Sequence, residues 1–213
     1  MTPPEALLNE LERDALTELV NIGVSRAAAS LRKMVGGEVL LSVPSVEIID
    51  HHRAIALIQE REGEDLVAVR QDFSGAFQGR ALLIFPQANG LELVRAVLGE
   101  ALPDDEDAAA MEQEALAETG NVILNSCLAT MANMLERSLT MSLPQVLRTD
   151  GRGLLANGDT AADEGPVLFL YINFSVRERS IRGYIAMVMD LRSLDALKRL
   201  VGDFIDRVMQ DEA

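Results

Sequence analysis

The chain has 213 residues and 48% apolar content, enough for one large domain or two small ones with a core that needs no disulfide or metal staple. Its net charge of −15 argues against binding a nucleic-acid backbone, which needs a basic face, and disfavours adhesion to an anionic membrane. Without Trp, and with only 4% aromatic residues, the core has to be built from Leu, Val, Ile, Ala and Met.

The spacing of Leu16, Val20, Ala27, Leu31 and Met34 predicts a helix from about Pro4 to Met34, widened on its apolar side by Leu11, Leu19 and Ile22. Its opposite stripe is Asp14, Glu18, Asn21, Ser25 and Arg32, and Gly36-Gly37 is its stop. Four strands are expected next: Val39 to Ile49 with Pro44 inside it, Ala54 to Gln59, Leu66 to Phe73, and Ala76 to Phe85 with Gln78-Gly79 marking a bulge or close approach. Pro86 opens a helix from about Gln87 to Leu98. An acidic turn over Leu102 to Asp107 follows, with Asp107 placed to cap the next helix. That helix runs from about Ala108 to Arg137, with Leu116, Ile123, Cys127, Met131 and Met134 inward. Strands are expected at Met141 to Arg148, Val167 to Val176 and Ile181 to Asp190, with a short one at Gly153 to Ala156. Asn157 to Gly165 reads as a polar loop and Ser193 to Met209 as the last helix.

One pattern occurs twice, 100 positions apart. Glu18-x-x-Asn21 is followed after 22 residues by Pro44, and Glu118-x-x-Asn121 after 22 residues by Pro144. The run Gly79 to Ile84 resembles Gly183 to Val188 at a slightly larger offset, the extra residues fitting in the polar loop. The expectation is a single domain made of two repeats, about 1–100 and 101–213, each helix, strands, helix. Fused, they give a pseudo-two-fold α/β (α+β) fold with long helices packed on a mainly antiparallel sheet.

Residues three apart share a helix face, so Glu18 points out beside Asn21 and Glu118 beside Asn121, flanked by Asp14 and Ser25 in one copy and by Glu114 and Asn125 in the other. A solvated helix surface explains one such pair, but Asn is a poor mid-helix residue, and two at equivalent sites point to a role other than helix stability. An amide is neither nucleophile nor general base, yet it orients a water, which suffices where the electrophile is already activated, as in phosphoryl transfer. Pro44 and Pro144 are read as structural, each marking a strand edge or bend. Gly23 and Gly120, near the two Asn residues, allow close approach either of a partner or of another helix.

The spacing Asp/Ser-x3-Glu-x2-Asn-x22-Pro resembles the signature of the CheC/CheX/FliY family of chemotaxis phosphatases. Asp14, Glu18, Asn21 and Pro44 match it fully; Glu114, Glu118, Asn121 and Pro144 match except that Glu stands where the family has Asp or Ser. Two motifs in one chain look more like CheC than the single-motif CheX, as does Leu16-Thr17-Glu18-Leu19-Val20-Asn21-Ile22-Gly23. The resemblance implies an enzyme that hydrolyses the aspartyl phosphate of a CheY-type response regulator. Asn21 and Asn121 would orient the water, and Glu18 and Glu118 would pair with the regulator's lysine. It further implies that Mg2+ belongs to the regulator, the chain having no cofactor of its own, and that a CheD-type deamidase is a partner. Where the family often has a Gly-Asn pair after the first motif, this chain has Ser25-Arg26. The alternative is a non-catalytic adaptor on the same scaffold, binding a response regulator, a deamidase or a flagellar switch component.

Other chemistry is not indicated. Cys127 is the only cysteine and reads as a buried thiol. His51 and His52, taken as neighbours at a strand, point oppositely and make no shared metal site. No signal segment or membrane span is expected, so the cytoplasm is, and duplication within one chain leads to the expectation of a monomer.

Overall fold

A computed structural model describes residues 8–62, 65–98, 106–155, 166–176 and 179–211. The first half runs α1 (Glu10–Val35), β1 (Val39–Ile49), α2 (His51–Glu62), β2 (Leu66–Gly75), β3 (Gly79–Pro86) and α3 (Gln87–Leu98). The second runs α4 (Glu106–Met134), β4 (Leu139–Met141), β5 (Gln145–Thr149), α5 (Gly151–Leu155), β6 (Val167–Val176), β7 (Arg179–Val188) and α6 (Leu191–Asp211).

The strands form one sheet in the order β1-β6-β7-β3-β2-β4, with β5 also on β2. Every pairing is antiparallel. The mixed helix and antiparallel-sheet architecture is the one the sequence predicts. Exchanging the two halves leaves this order unchanged: β1 sits on β6 at one edge, β4 and β5 sit on β2 at the other, and β3 meets β7 in the middle. Among the described residues each edge strand therefore pairs only with a strand from the other half.

Because side chains alternate across a strand, the sheet presents two apolar faces. Val67, Val69, Leu83, Phe85, Ile185 and Met187 pack under α1, α3, α4 and α6. Leu66, Ala68, Leu82, Ile84, Tyr184 and Ala186 form a second core with Ala54 and Ile58 of α2 and Leu154 and Leu155 of α5. The result is three layers, with the sheet between four helices on one face and two on the other.

Two predicted strands are helices. Ala54 to Gln59 lies inside α2, and Gly153 to Leu155 inside α5; Ala156 falls outside the described residues. Each is started by an aspartate: Asp50 Oδ1 accepts the Arg53 N–H at 2.8 Å, and Asp150 Oδ1 accepts the Gly153 N–H at 2.7 Å. His51 and His52 therefore stand on the first turn of α2, one buried and one exposed, rather than on a strand. Asp107 lies within α4 rather than before it. The expected loop 157–165, most of the acidic turn, and residues 4–7 of the first predicted helix fall outside the described residues. Gly36 ends α1 as expected, in the left-handed conformation at φ 63°. Leu11, expected on the apolar side of α1, is 55% exposed.

Candidate functional site

Both copies of the Glu-x-x-Asn pattern lie on the two longest helices. α1 begins with a capping box in which Asn9 Oδ1 accepts the Glu12 N–H and Glu12 Oε2 accepts the Asn9 N–H, each at 2.8 Å. Its buried side is Leu16, Leu19, Val20, Val24, Ala27 and Leu31. That rotation leaves Asp14, Glu18 and Ser25 exposed and Asn21 half-buried at the margin. In α4, Leu116, Ile123, Leu124, Cys127 and Met131 are buried, Glu114 and Glu118 exposed, and Asn121 and Asn125 half-buried.

The two helices cross closely. A Cβ on Gly23 would fall 2.8 Å from Cys127 Cα, while Met34 shares a cavity with Met111 and Ala115 near the start of α4, so the helices run antiparallel. Gly120 faces inward onto Val69, where a Cβ would meet the valine side chain at 2.4 Å. Both glycines serve internal packing. Of the two readings open from sequence, the helix and sheet contacts account for them.

The first proline has a local consequence. β1 follows β6 in register from Val39 to Ser42, shifts, and resumes at Ser45. Pro44 lies in that shift and, having no N–H, cannot donate to the ladder. The N–H of Val43, released from ladder pairing there, donates instead to Asn21 Oδ1 at 3.1 Å. The spacing between Asn21 and Pro44 in the pattern thus places a strand irregularity beside the helix amide. Because a backbone N–H only donates, the atom of Asn21 facing it is the oxygen, and Nδ2 points away from the strand.

The second copy reaches the same end by other groups. Met141 and Gln145 bracket a break between β4 and β5, and Pro144 lies in it. Ser142, in the break, offers its carbonyl to Gln71 Nε2 at 2.9 Å. The same Nε2 donates to Asn121 Oδ1 at 3.1 Å, and Asn125 Nδ2 donates to that oxygen at 2.6 Å. A carbonyl can only accept, so Gln71 turns its NH2 to Ser142, and Asn121 must then turn its oxygen to Gln71. Both Asn side chains are held by their carbonyl oxygen. Neither Val43 nor Gln71 is among the residues sequence reasoning singled out. The available signal was a glutamine in phase with Val67, Val69 and Phe73, on the inward side of an apolar strand.

Glu18 and Glu118 pair with no cation among the described residues. A cavity of about 440 Å³ opens at the second copy, lined by Glu114, Glu118, Pro144, Met34 and Met111. Arg26 reaches back across the helix crossing to Thr130 Oγ1 at 3.4 Å. Burial pushes the Cys127 thiol up to about 12, so it stays protonated and unreactive. Among the described residues no three His, Cys, Asp or Glu side chains gather as a metal would need, and no helix is long and apolar enough to cross a membrane.

Comparison with known proteins adds to this geometry. The family Chemotaxis phosphatase CheX matches residues 67–162, a span that holds Glu118, Asn121 and Pro144. The Bacillus subtilis flagellar motor switch phosphatase FliY is 25% identical over 140 residues, 65% of this chain and 36% of that one. The B. subtilis CheY-P phosphatase CheC is 24% identical over 143 residues, 65% of this chain and 67% of that one. The chain thus spans about a third of the length of one of these curated relatives and two thirds of the other. Among solved structures, Thermotoga maritima FliY superposes with a TM-score of 0.72 at 17% identity, over 92% of this chain and 98% of that one.

Proposed function

We propose that this chain is a member of the CheC/CheX/FliY family it resembles, a phosphatase that hydrolyses the aspartyl phosphate of a CheY-type response regulator. One observation carries the reading. Each pattern presents, on the outer side of a long helix, an uncompensated carboxylate one turn before a half-buried amide whose oxygen is held by hydrogen bonds, which turns its NH2 away from those donors.

That constellation suits chemistry in which the partner supplies the activated electrophile. Water attacks phosphorus in line, the phosphorus–oxygen bond to the regulator's aspartate breaks, and the carboxylate leaves with inorganic phosphate. Little covalent work falls to the protein, so positioning dominates. Asn21 and Asn121 each donate from Nδ2 to the water oxygen, using one lone pair and leaving the other for phosphorus. Glu18 and Glu118 receive the regulator's active-site lysine, which fixes the docking angle of the helix and sets the amide over the phosphoryl group. The magnesium ion that balances the phosphoryl charge is the regulator's. Asp14 and Glu114 flank the two sites one turn earlier, and Pro44 and Pro144 act through the strand breaks that pin the amides.

The net charge of −15 keeps the rest of the surface repulsive to acidic partners and leaves specificity to a basic group such as that lysine. The two halves, about 1–100 and 101–213, are read as repeats that supply one site each, the protein acting as a cytoplasmic monomer. A CheD-type deamidase is a further partner on this reading.

The test is phosphate release from a phosphorylated CheY-type receiver domain with magnesium, comparing wild type with Asn21→Ala, Asn121→Ala and the double variant. Stepwise loss is expected, with the double variant down about a hundredfold and binding retained. A wild-type protein that binds the phosphorylated receiver without accelerating release would instead be an adaptor.

A further inference from the structure

We infer that Gln71 is a positioning residue for the second site, fixing the orientation of the Asn121 amide from a strand of the opposite half. The inference rests on the phosphatase reading and assigns to that site a residue outside its motif.

Gln71 is 1% exposed, in a strand whose inward neighbours Val67, Val69 and Phe73 are apolar. Its Nε2 bridges Ser142 O and Asn121 Oδ1, while its Oε1 is buried with no hydrogen-bond partner among the described residues. A buried acceptor left unpaired is costly, and a residue kept only for packing would be apolar. What Gln71 does that Leu or Met could not do is relay a fixed polarity. Ser142 O forces its NH2 toward the break, and that NH2 forces the Asn121 oxygen inward. The outward group on Asn121 is then NH2 in every molecule, the donor the attacking water needs.

The first site lacks this dependence. Its polarity comes from the Val43 backbone N–H, which no substitution other than proline removes. The two sites are chemically alike at their surface and differ in what enforces them. Asn125 also donates to Asn121 Oδ1, but it is half-buried on the same helix one turn on, and its own amide has no fixed backbone acceptor in the described contacts. Without Gln71, the Asn121–Asn125 pair can reverse, each amide exchanging donor for acceptor.

The experiment isolates each site. Gln71→Leu and Gln71→Met are made in wild type, in Asn21→Ala, which leaves only the second site, and in Asn121→Ala, which leaves only the first. Phosphate release, receiver affinity and thermal midpoint are measured for each. In the Asn21→Ala background turnover is expected to fall about tenfold or more with receiver affinity unchanged. In the Asn121→Ala background turnover stays level. The thermal midpoint changes little in all of them, since the substitution removes an unpaired buried acceptor together with the NH2 that serves Ser142 O and Asn121 Oδ1. Equal losses at both sites, or losses that track a lower midpoint, would mean a structural role and overturn the inference. So would an Asn21→Ala protein with no turnover to lose. A wild type that never accelerates release fails the phosphatase reading itself, and the inference falls with it.

Discussion

Gly23 and Gly202 are both helical glycines, and alanine is expected to act on them with opposite sign. At Gly23 the new Cβ would stand 2.8 Å from Cys127 Cα and 3.1 Å from its carbonyl oxygen. These are backbone atoms, which cannot rotate aside, so α1 and α4 must separate. That overpacking costs about 1–3 kcal/mol, more than the roughly 1 kcal/mol gained in helix propensity. At Gly202 in α6 nothing lies within 4 Å of the added carbon, and only the gain remains. Denaturant midpoints should therefore fall for Gly23→Ala and rise for Gly202→Ala; equal shifts would deny the close helix crossing. At this scale the site was half legible. Glu18, Asn21, Glu118 and Asn121 are legible because a helix writes its surface at fixed spacing. Val43 and Gln71 are not, because they meet the Asn side chains only through a strand break and a strand pairing that no local pattern announces.

Three small structural starts use the same device. Asp50, Asp150 and Asp190 each accept a backbone N–H from the third residue onward, opening α2, α5 and α6. Asp50 and Asp150 stand 100 positions apart, in step with the two site motifs. The misreading of Ala54 to Gln59 as a strand comes from weighing its unbroken apolar run above the aspartate before it. Ala54 and Ile58, four apart, are both fully buried, which is the helical period. Long strands such as Val39–Ile49 and Val167–Val176 were legible to the residue, since β-branched and aromatic runs of that length have no competing reading. For Asp190 the cap bears on acid stability. The Ser193 backbone N–H, then its hydroxyl, hold the Asp190 carboxyl below the usual carboxylate range. A carboxylate lowered in the folded state stabilises above its unfolded value, and that contribution is lost as pH falls through the folded one. Asp190→Ala should cost about 1 kcal/mol at neutral pH and progressively less below about pH 4. Asp190→Asn should retain most of the cap and flatten that pH dependence, as followed by thermal midpoints across an acid series.

The whole molecule is stitched by strands that cross between halves. β1 has β6 as its only ladder partner among the described residues, and β5 has only β2. Each half alone would therefore keep its helices and a two-stranded ribbon, β2 with β3 or β6 with β7, and leave its edge strands without a neighbour. The larger core is shared as well: Leu19, Val24 and Ala27 of α1 lie in the same cluster as Ile123, Leu128 and Met131 of α4, and neither helix finds that surface within its own half. A two-stranded ribbon with its helices but without the partner half's strands and long helix buries too little apolar area to offset chain entropy. Residues 1–104 and 105–213, produced separately, are thus expected to lack a cooperative thermal transition and dispersed amide spectra. The intact chain should melt in one transition. Mixing the two fragments should restore the dispersed spectrum, because the missing neighbours of β1 and β5 then return from the other fragment. The sites make the same demand. Asn21 is pinned within its own half, whereas Asn121 needs Gln71 from the other. A 105–213 fragment that nevertheless folded should thus carry the Asn121 amide without its restraint. If either half alone showed a sharp transition, the crossed pairing would not be what holds the sheet, and the link between the second site and the first half would lose its structural basis.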